Sequence, residues 1–338
     1  MKWFDRNLIE AARKLPAAKV AVIGDLVCDL TVFGQTKRIS REAPVLILEY
    51  LRESISLGGA ANTVNNLRAL GGSPMPIGVF GDDDSGKKMR RAMSDLGIDT
   101  GFIFDHPNRL TTVKTRMMGS GLHTTFQQML RIDQGHKEEI DSTIEDRVIA
   151  ALDQAVSQCN VLVVSDYGYG LITQRVLNRI NELATAGTIP VYVDSRYRLS
   201  SFAHPGLLTP NEPEAEEAVG LTIRSDEDTV EAARQILDKT SADAVCITRG
   251  KRGMHILTAD NRKLDVPIFG TDEISDVTGA GDTVMAVFAA ARSVGIDLFT
   301  AARLATVAGG LVVMKSGTAT ITSDEIIEAL EDYVDDGQ

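Results

Sequence analysis

The chain has 338 residues, with 35 Lys plus Arg against 47 Asp plus Glu, for a formal net charge of −12. Apolar residues make up 43 % and charged residues 24 %, which excludes intrinsic disorder and allows a core that needs neither disulfides nor metals. The acidic balance excludes a nucleic-acid binder, whose affinity comes from a basic surface, and disfavours anionic membranes.

No run approaches the length of a membrane span, and charges at Asp5, Arg6, Glu10, Arg13, Lys14 and Lys19 break any signal-peptide core. A cytoplasmic protein is expected. Cys28, Cys159 and Cys246 lack C-x-x-C spacing and read as buried small apolar residues in a reducing compartment. The five histidines show no metal-binding spacing.

In chain order, residues 7–15 read as a short amphipathic helix and Lys19–Gly24 as a buried strand. Val45–Leu51 is a second apolar run, and Gly58-Gly-Ala-Ala-Asn62 opens a helix that ends near Gly71-Gly72. Further strands are expected at Pro76–Phe80, Asn160–Ser165, Pro190–Asp194, Leu207–Thr209 and Ala244–Thr248. Helices are expected at 83–96, 143–157, 172–186, 212–219, 226–239, 279–294, 298–314 and 323–333. This alternation implies an α/β fold with a mostly parallel sheet covered on both faces. The runs Gly101–Phe104, Thr111–Met118 and Thr125–Ile132 have no helix between them. With 45–51 they form either a small antiparallel lid, built from about 38–52 and 101–133, or an extra edge hairpin. A single domain spanning 1–338 is expected, with a fraying acidic tail at 332–338.

The strongest chemical element is Asp276-Val-Thr-Gly-Ala-Gly-Asp282 ahead of a long apolar helix. Gly279, Ala280 and Gly281 would present amides at a helix N-terminus, where the dipole favours an anion. Asp282 would repel that anion, so its presence suits a base that takes a proton from an alcohol attacking a phosphoryl group; the alternative is an Asp-capped helix after a glycine turn. Gly81-Asp-Asp-Asp-Ser-Gly86-Lys87-Lys88 nearly fits a P-loop, but it lacks the final hydroxyl and carries three aspartates. It reads as a helix-start cap.

Three more segments lie where strands end, the usual ligand side of an open α/β sheet. Asn211 and Glu214 either hold hydrated Mg²⁺ through oxygens or cap a helix. Thr248-Arg-Gly-Lys-Arg-Gly253 offers amides and cations to a nucleotide, or is a solvated turn. Asp25 and Asp29 flank the first strand's end and either bind sugar hydroxyls or, for Asp25, cap a turn.

Together these segments resemble the ribokinase family of carbohydrate kinases from about residue 19 to 322, through the Gly58–Asn62 and Asp276–Asp282 motifs. Gly24–Asp29, Arg38–Pro44, Gln127–Asp133, Ser165–Tyr167, Leu208–Asn211 and Thr248–Gly250 look like its heptose 7-phosphate kinase branch. That branch phosphorylates the anomeric oxygen of D-glycero-β-D-manno-heptose 7-phosphate from ATP, for the lipopolysaccharide inner core. No H-x-G-H motif is present, so the likeness is to the stand-alone kinase rather than to members with a nucleotidyltransferase domain.

The resemblance implies a role for each matching position. Asp282 is the base, and Gly279, Ala280 and Gly281 form the anion hole. Asp29, Gly58, Gly59, Asn62 and Asp166 lie at the sugar. Asn211 and Glu214 are associated with Mg²⁺; Thr248, Gly250, Gly253 and Asp194 lie on the nucleotide side. Asp276 and Thr278 lie where many relatives bind a monovalent cation such as K⁺. Arg38, Lys114, Arg116 and Arg131 are candidates for the distal phosphate, since guanidinium groups pair with phosphate oxygens. The expected ligands are a sugar phosphate and ATP, and a homodimer is expected, as many relatives form.

The chain also departs from the branch. Asp166-Tyr-Gly-Tyr169-Gly170 stands for Asp-Tyr-Ala-Lys-Gly, Asp194-Ser-Arg196 for Asp-Pro-Lys, and Thr306 for an adenine-side Asn; Gly119–Thr124 also differs. The rivals are a kinase for another sugar or nucleoside and a non-catalytic sugar-phosphate sensor.

Overall fold

The chain's β-branched runs are buried on both faces, which is what a central parallel strand requires. In the computed structural model, which describes residues 3–121, 125–270, 276–315 and 317–335, Val20 and Val22 enter one core and Ala21 and Ile23 the other. His123 and the last residues of the acidic tail lie outside the described residues.

The first half of the chain forms α1 (Arg6–Ala12), β1 (Lys19–Gly24), β2 (Leu26–Ile39), β3 (Leu46–Gly59), α2 (Ala60–Ala69), β4 (Ser73–Gly81), α3 (Asp84–Asp95), β5 (Ile103–His106), β6 (Thr112–Ser120), β7 (Gln127–Gln134) and α4 (Ser142–Val156). The second half forms β8 (Val161–Asp166), α5 (Gln174–Thr185), β9 (Val191–Ser195), β10 (Leu207–Leu208), α6 (Glu212–Val219), α7 (Asp226–Thr240), β11 (Ala244–Thr248), β12 (Met254–Thr258), β13 (Lys263–Val266), α8 (Ala280–Ser293), α9 (Leu298–Val312) and α10 (Ser323–Asp335).

The larger sheet runs β13-β12-β11-β10-β9-β8-β1-β4-β5. It is parallel from β5 to β11, and β12 and β13 close the far edge antiparallel. From β1 the chain goes to β4 on one side and later to β8 on the other. The carboxyl ends of β1 and β8 therefore flank a switch point, where a crevice opens.

The smaller sheet runs β3-β2-β6-β7. Its outer pairings are antiparallel, while the central β2–β6 pair is parallel. It begins at Leu26 rather than near residue 38, because the chain leaves β1 straight into the long β2–β3 hairpin. The Gly101–Phe104 run does not join this sheet as expected: β5 pairs with β4 at the edge of the larger one.

Asp83 caps α3, its Oδ1 accepting from the Gly86 amide at 2.8 Å, in keeping with the helix-start reading of residues 81–88. Cys28 and Cys246 are buried, but Cys159 is only half-buried. No helix among the described residues is long and apolar enough to cross a membrane.

Candidate active site

Asp282 occupies the first turn of α8, whose cap Gly279 has φ 80°. A side chain on Gly279 would be strained there, and its Cβ would come within 2.4 Å of Asn62 Nδ2. The glycine thus lets α2 and α8 meet. Across that contact Asn62 Nδ2 donates to Asp282 Oδ2 at 2.9 Å and Thr63 Oγ1 to Oδ1 at 3.3 Å. From the loop after β8, Tyr167 donates its hydroxyl to Oδ1 at 3.1 Å. Asn66 and Thr283 extend the network behind, at 3.2 Å to Asn62 Oδ1 and 3.0 Å to Asn66 Oδ1.

Asp282 is 5 % exposed. Burial pushes its carboxyl up to about 6, against the lowering pull of the bonds from Asn62, Tyr167 and Thr63. A carboxyl with that pKa remains ionised at neutral pH, as a base requires.

Beside it, the amides of Gly279 and Gly281 have no protein acceptor among the described residues, and the space around Gly281 is open. The Ala280 amide differs from expectation, making a long turn bond of 3.3 Å to the Val277 carbonyl. Free amides at a helix start form an anion site.

Asp29 on β2 is buried and paired to Arg116 on β6 at 2.6 Å. Gly58 leaves room for it: a Cβ there would sit 2.3 Å from Asp29 Oδ2. Gly59, at φ 57°, turns the chain from β3 into α2, beneath the Asp25 carbonyl. Asp29, Gly58, Gly59, Asn62 and Asp282 are thus brought together.

The other expected sugar-side groups are spent differently. Asp166 accepts from Ser195 Oγ at 2.9 Å, from Arg198 at 3.2 and 3.3 Å, and from the Gly168 amide at 3.1 Å. Its carboxylate ties β8 to β9 and is committed to protein partners. Asp25 caps the next loop, accepting from the Tyr167 and Tyr169 amides at 2.9 and 3.0 Å, and burial pushes it up to about 6.

Lys114 stands 5.0 Å from the Tyr167 ring centroid and 5.9 Å from that of Tyr169, its ammonium held below the ordinary range by burial. Arg131 is exposed and paired to Asp133. Arg38 sits exposed near the far end of β2, nine extended residues from Asp29, roughly 30 Å of strand, so the single chain does not bring it to this cluster among the described residues.

On the nucleotide side, Thr248, Gly250 and Gly253 line an apolar cavity of about 440 Å³ that ends at Ala280 and Gly281. Thr306 on α9 joins its wall, as its alignment with an adenine-side Asn implied; the sequence reading missed Ala305, Gly309, Gly310 and Val313, which supply the rest from α9 and its C-cap. Their small-residue spacing, with two glycines inside a helix, was the available signal. Gly310 is required because a Cβ would meet the Phe269 carbonyl at 2.3 Å.

Asn211 and Glu214 form a reciprocal capping box on α6, at 2.9 Å each way. Asn211 also bridges to Thr248, which sets α6 beside the cavity. Burial first, then the carboxylates of Glu214 and Asp282, hold Asp194 well above the usual range; burial also raises Glu214. Among the described residues no group of three or more His, Cys, Asp or Glu side chains is placed to hold a metal. Two mutually repelling carboxylates fit a hydrated hard cation shared with phosphate oxygens rather than a protein cage.

Asp276 accepts from the Thr278 amide at 2.9 Å and the Gly317 amide at 3.1 Å. Burial alone would raise its carboxyl, but these bonds hold it below the ordinary range.

A parallel sheet with a base and an anion-binding helix start at its switch point defines a phosphotransferase acting on a hydroxyl. The chain belongs to the pfkB family of carbohydrate kinases, whose family pattern matches residues 17–325. It is 38 % identical over 328 residues to the bifunctional protein HldE of Trichlorobacter lovleyi, and 40 % over 327 residues to that of a Caulobacter species. Each alignment takes in 96 % of this chain, which spans 66 % and 65 % of the respective relative's length. Among solved structures, Arabidopsis thaliana ribokinase complexed with ribose and ATP superposes with TM-score 0.73 at 19 % identity, covering 93 % of this chain and 99 % of that one. Escherichia coli phosphofructokinase-2 with substrates and products gives 0.74 at 16 %, covering 94 % and 99 %; these two share the fold.

Proposed function

We propose that this carbohydrate kinase transfers the γ-phosphoryl of ATP to the anomeric hydroxyl of D-glycero-β-D-manno-heptose 7-phosphate, giving the 1,7-bisphosphate for lipopolysaccharide inner-core synthesis in the cytoplasm. The observation that carries the reaction is Asp282, buried and held by three donors beside the free amides of Gly279 and Gly281. The substrate rests on the branch motifs and on the HldE relatives.

Asp282 accepts the hydroxyl proton as the sugar oxygen bonds to the γ-phosphorus and ADP leaves. The Gly279 and Gly281 amides stabilise charge on the transferring group. The cavity between β11, β12 and α9 suits the nucleoside. Asp194 and Glu214 would hold Mg²⁺ through water, and Mg²⁺ neutralises phosphate charge when bound. Asp29, held by Arg116, and Asn62 bind the sugar, the smaller sheet acts as a lid that excludes water, and Lys114 serves the distal phosphate. A K⁺ site near Asp276 and Thr278 belongs to the same reading; Escherichia coli phosphofructokinase-2 has been solved in complex with potassium.

A coupled ADP-release assay over sugars with and without a terminal phosphate tests this. Heptose 7-phosphate is expected to be the best substrate. Equal or better turnover of an unphosphorylated sugar or a nucleoside would transfer the assignment to that substrate, and ligand binding without ADP release would favour a sensor.

A further inference from the structure

Arg196 follows β9 directly at the carboxyl edge of the larger sheet. Its amide donates to the Asp166 carbonyl at 3.0 Å, and the preceding Ser195 hydroxyl donates to the Asp166 carboxylate at 2.9 Å. The backbone is therefore pinned between β8 and β9. The side chain is exposed and, among the described residues, makes no ion pair.

Of the neighbouring cations, Arg198 is spent on Asp166 and on the Ile172 carbonyl at 2.6 Å, Arg116 on Asp29, and Arg131 on Asp133, while Lys114 lies over the Tyr167 and Tyr169 rings. Yet the Arg196 charge is felt at Asp194, Glu214, Tyr167, Tyr169 and Lys114. Those groups lie on β9, α6, the loop after β8 and β6. The Arg196 backbone is pinned at the carboxyl end of β9, beside these elements.

A triphosphate entering there meets the carboxylates of Asp194, Glu214 and Asp282, and the latter two already raise the proton affinity of Asp194. An unpaired cation beside Asp194 and Glu214 offsets that repulsion where the phosphoryl passes. We propose that Arg196 is the phosphate-binding residue for the transferring phosphoryl group, its planar fork reaching two of the group's oxygens. Arg196 exchanges no proton: the bond to ADP breaks, the bond to the sugar oxygen forms, and the proton goes to Asp282. This rests on the kinase reading above.

The test uses Arg196→Ala, Arg196→Gln and Arg196→Lys in the full chain, with kcat and KM for both substrates. A second readout is the tightening of a fluorescent ADP analogue by fluoroaluminate, which mimics the phosphoryl in flight. Because Arg196 is exposed, the variants are expected to melt with the wild type. For Arg196→Ala we expect kcat to fall about 10²–10³-fold, the ADP dissociation constant to stay within about threefold and the fluoroaluminate effect to vanish. Added guanidinium should restore part of the rate, and Arg196→Lys only a minor part. Retention of kcat within threefold, or of the fluoroaluminate effect, would overturn the proposal. So would a loss confined to KM for phosphorylated sugars, which would place Arg196 at the substrate's far end. Wild type that shows no tightening with any sugar would overturn the kinase reading itself, and this proposal with it.

Discussion

Asp282 balances two demands: burial makes it basic enough to take a proton, and three donors keep it ionised. As a base with a pKa of about 6 it works deprotonated, so kcat/KM should fall about tenfold per pH unit below that value and level off above it. Tyr167→Phe removes a donor to the charged form, so the acid limb should move to higher pH, by about half a unit. A limb that stays in place would separate Tyr167 from the base. The same shift has a stability consequence. A carboxyl raised on folding contributes stability below its unfolded pKa that is lost as pH rises through about 6. Apo Asp282→Asn should therefore melt no lower than wild type at neutral pH. Arg116→Ala, in contrast, strands the buried Asp29 and should cost roughly 3 kcal/mol in denaturant unfolding; a loss near zero would show that Asp29 finds another partner.

At the level of elements, α8 and α2 are the working pair, and Gly279 sets their spacing. Gly279→Ala puts a Cβ in left-handed backbone and against Asn62, so we expect a loss of about 1–3 kcal/mol and a larger fall in kcat than in substrate affinity. Wild-type kinetics would show that the glycine serves the turn alone. Much of this was legible: Asp276–Asp282 ahead of an unbroken apolar run announces a loop and helix start, and the buried strands of the larger sheet stand out as β-branched runs. β2 was not legible, because Gly34, Gln35, Thr36 and Lys37 break its alternation where the strand bulges. Nor was the Tyr167–Asp282 bond, which joins residues 115 apart and exists only through the fold. The Asn211–Glu214 pair admitted both readings, and the structure uses it as a cap while leaving one Glu214 oxygen outside the capping bonds.

The smaller sheet projects from the whole molecule with one face toward the cleft, carrying Asp29, Lys114 and Arg116. Its other face holds an apolar hollow lined by Leu48, Tyr50, Met117 and Leu130. Tyr50 is 64 % and Leu130 56 % exposed, unusual for such side chains in a lone chain. A second copy of the chain is the expected cover. Leu130→Glu should yield a monomer in sedimentation and, if the paired lids support each other, a higher KM for the sugar; a wild type already monomeric at high concentration would contradict this. The charge, base and amides described above converge on one reaction, and the most direct test is ADP release by wild type and Asp282→Asn at pH 7.5 with heptose 7-phosphate. The account predicts retained substrate binding with turnover down about two to four decades in the variant; turnover close to wild type would contradict it.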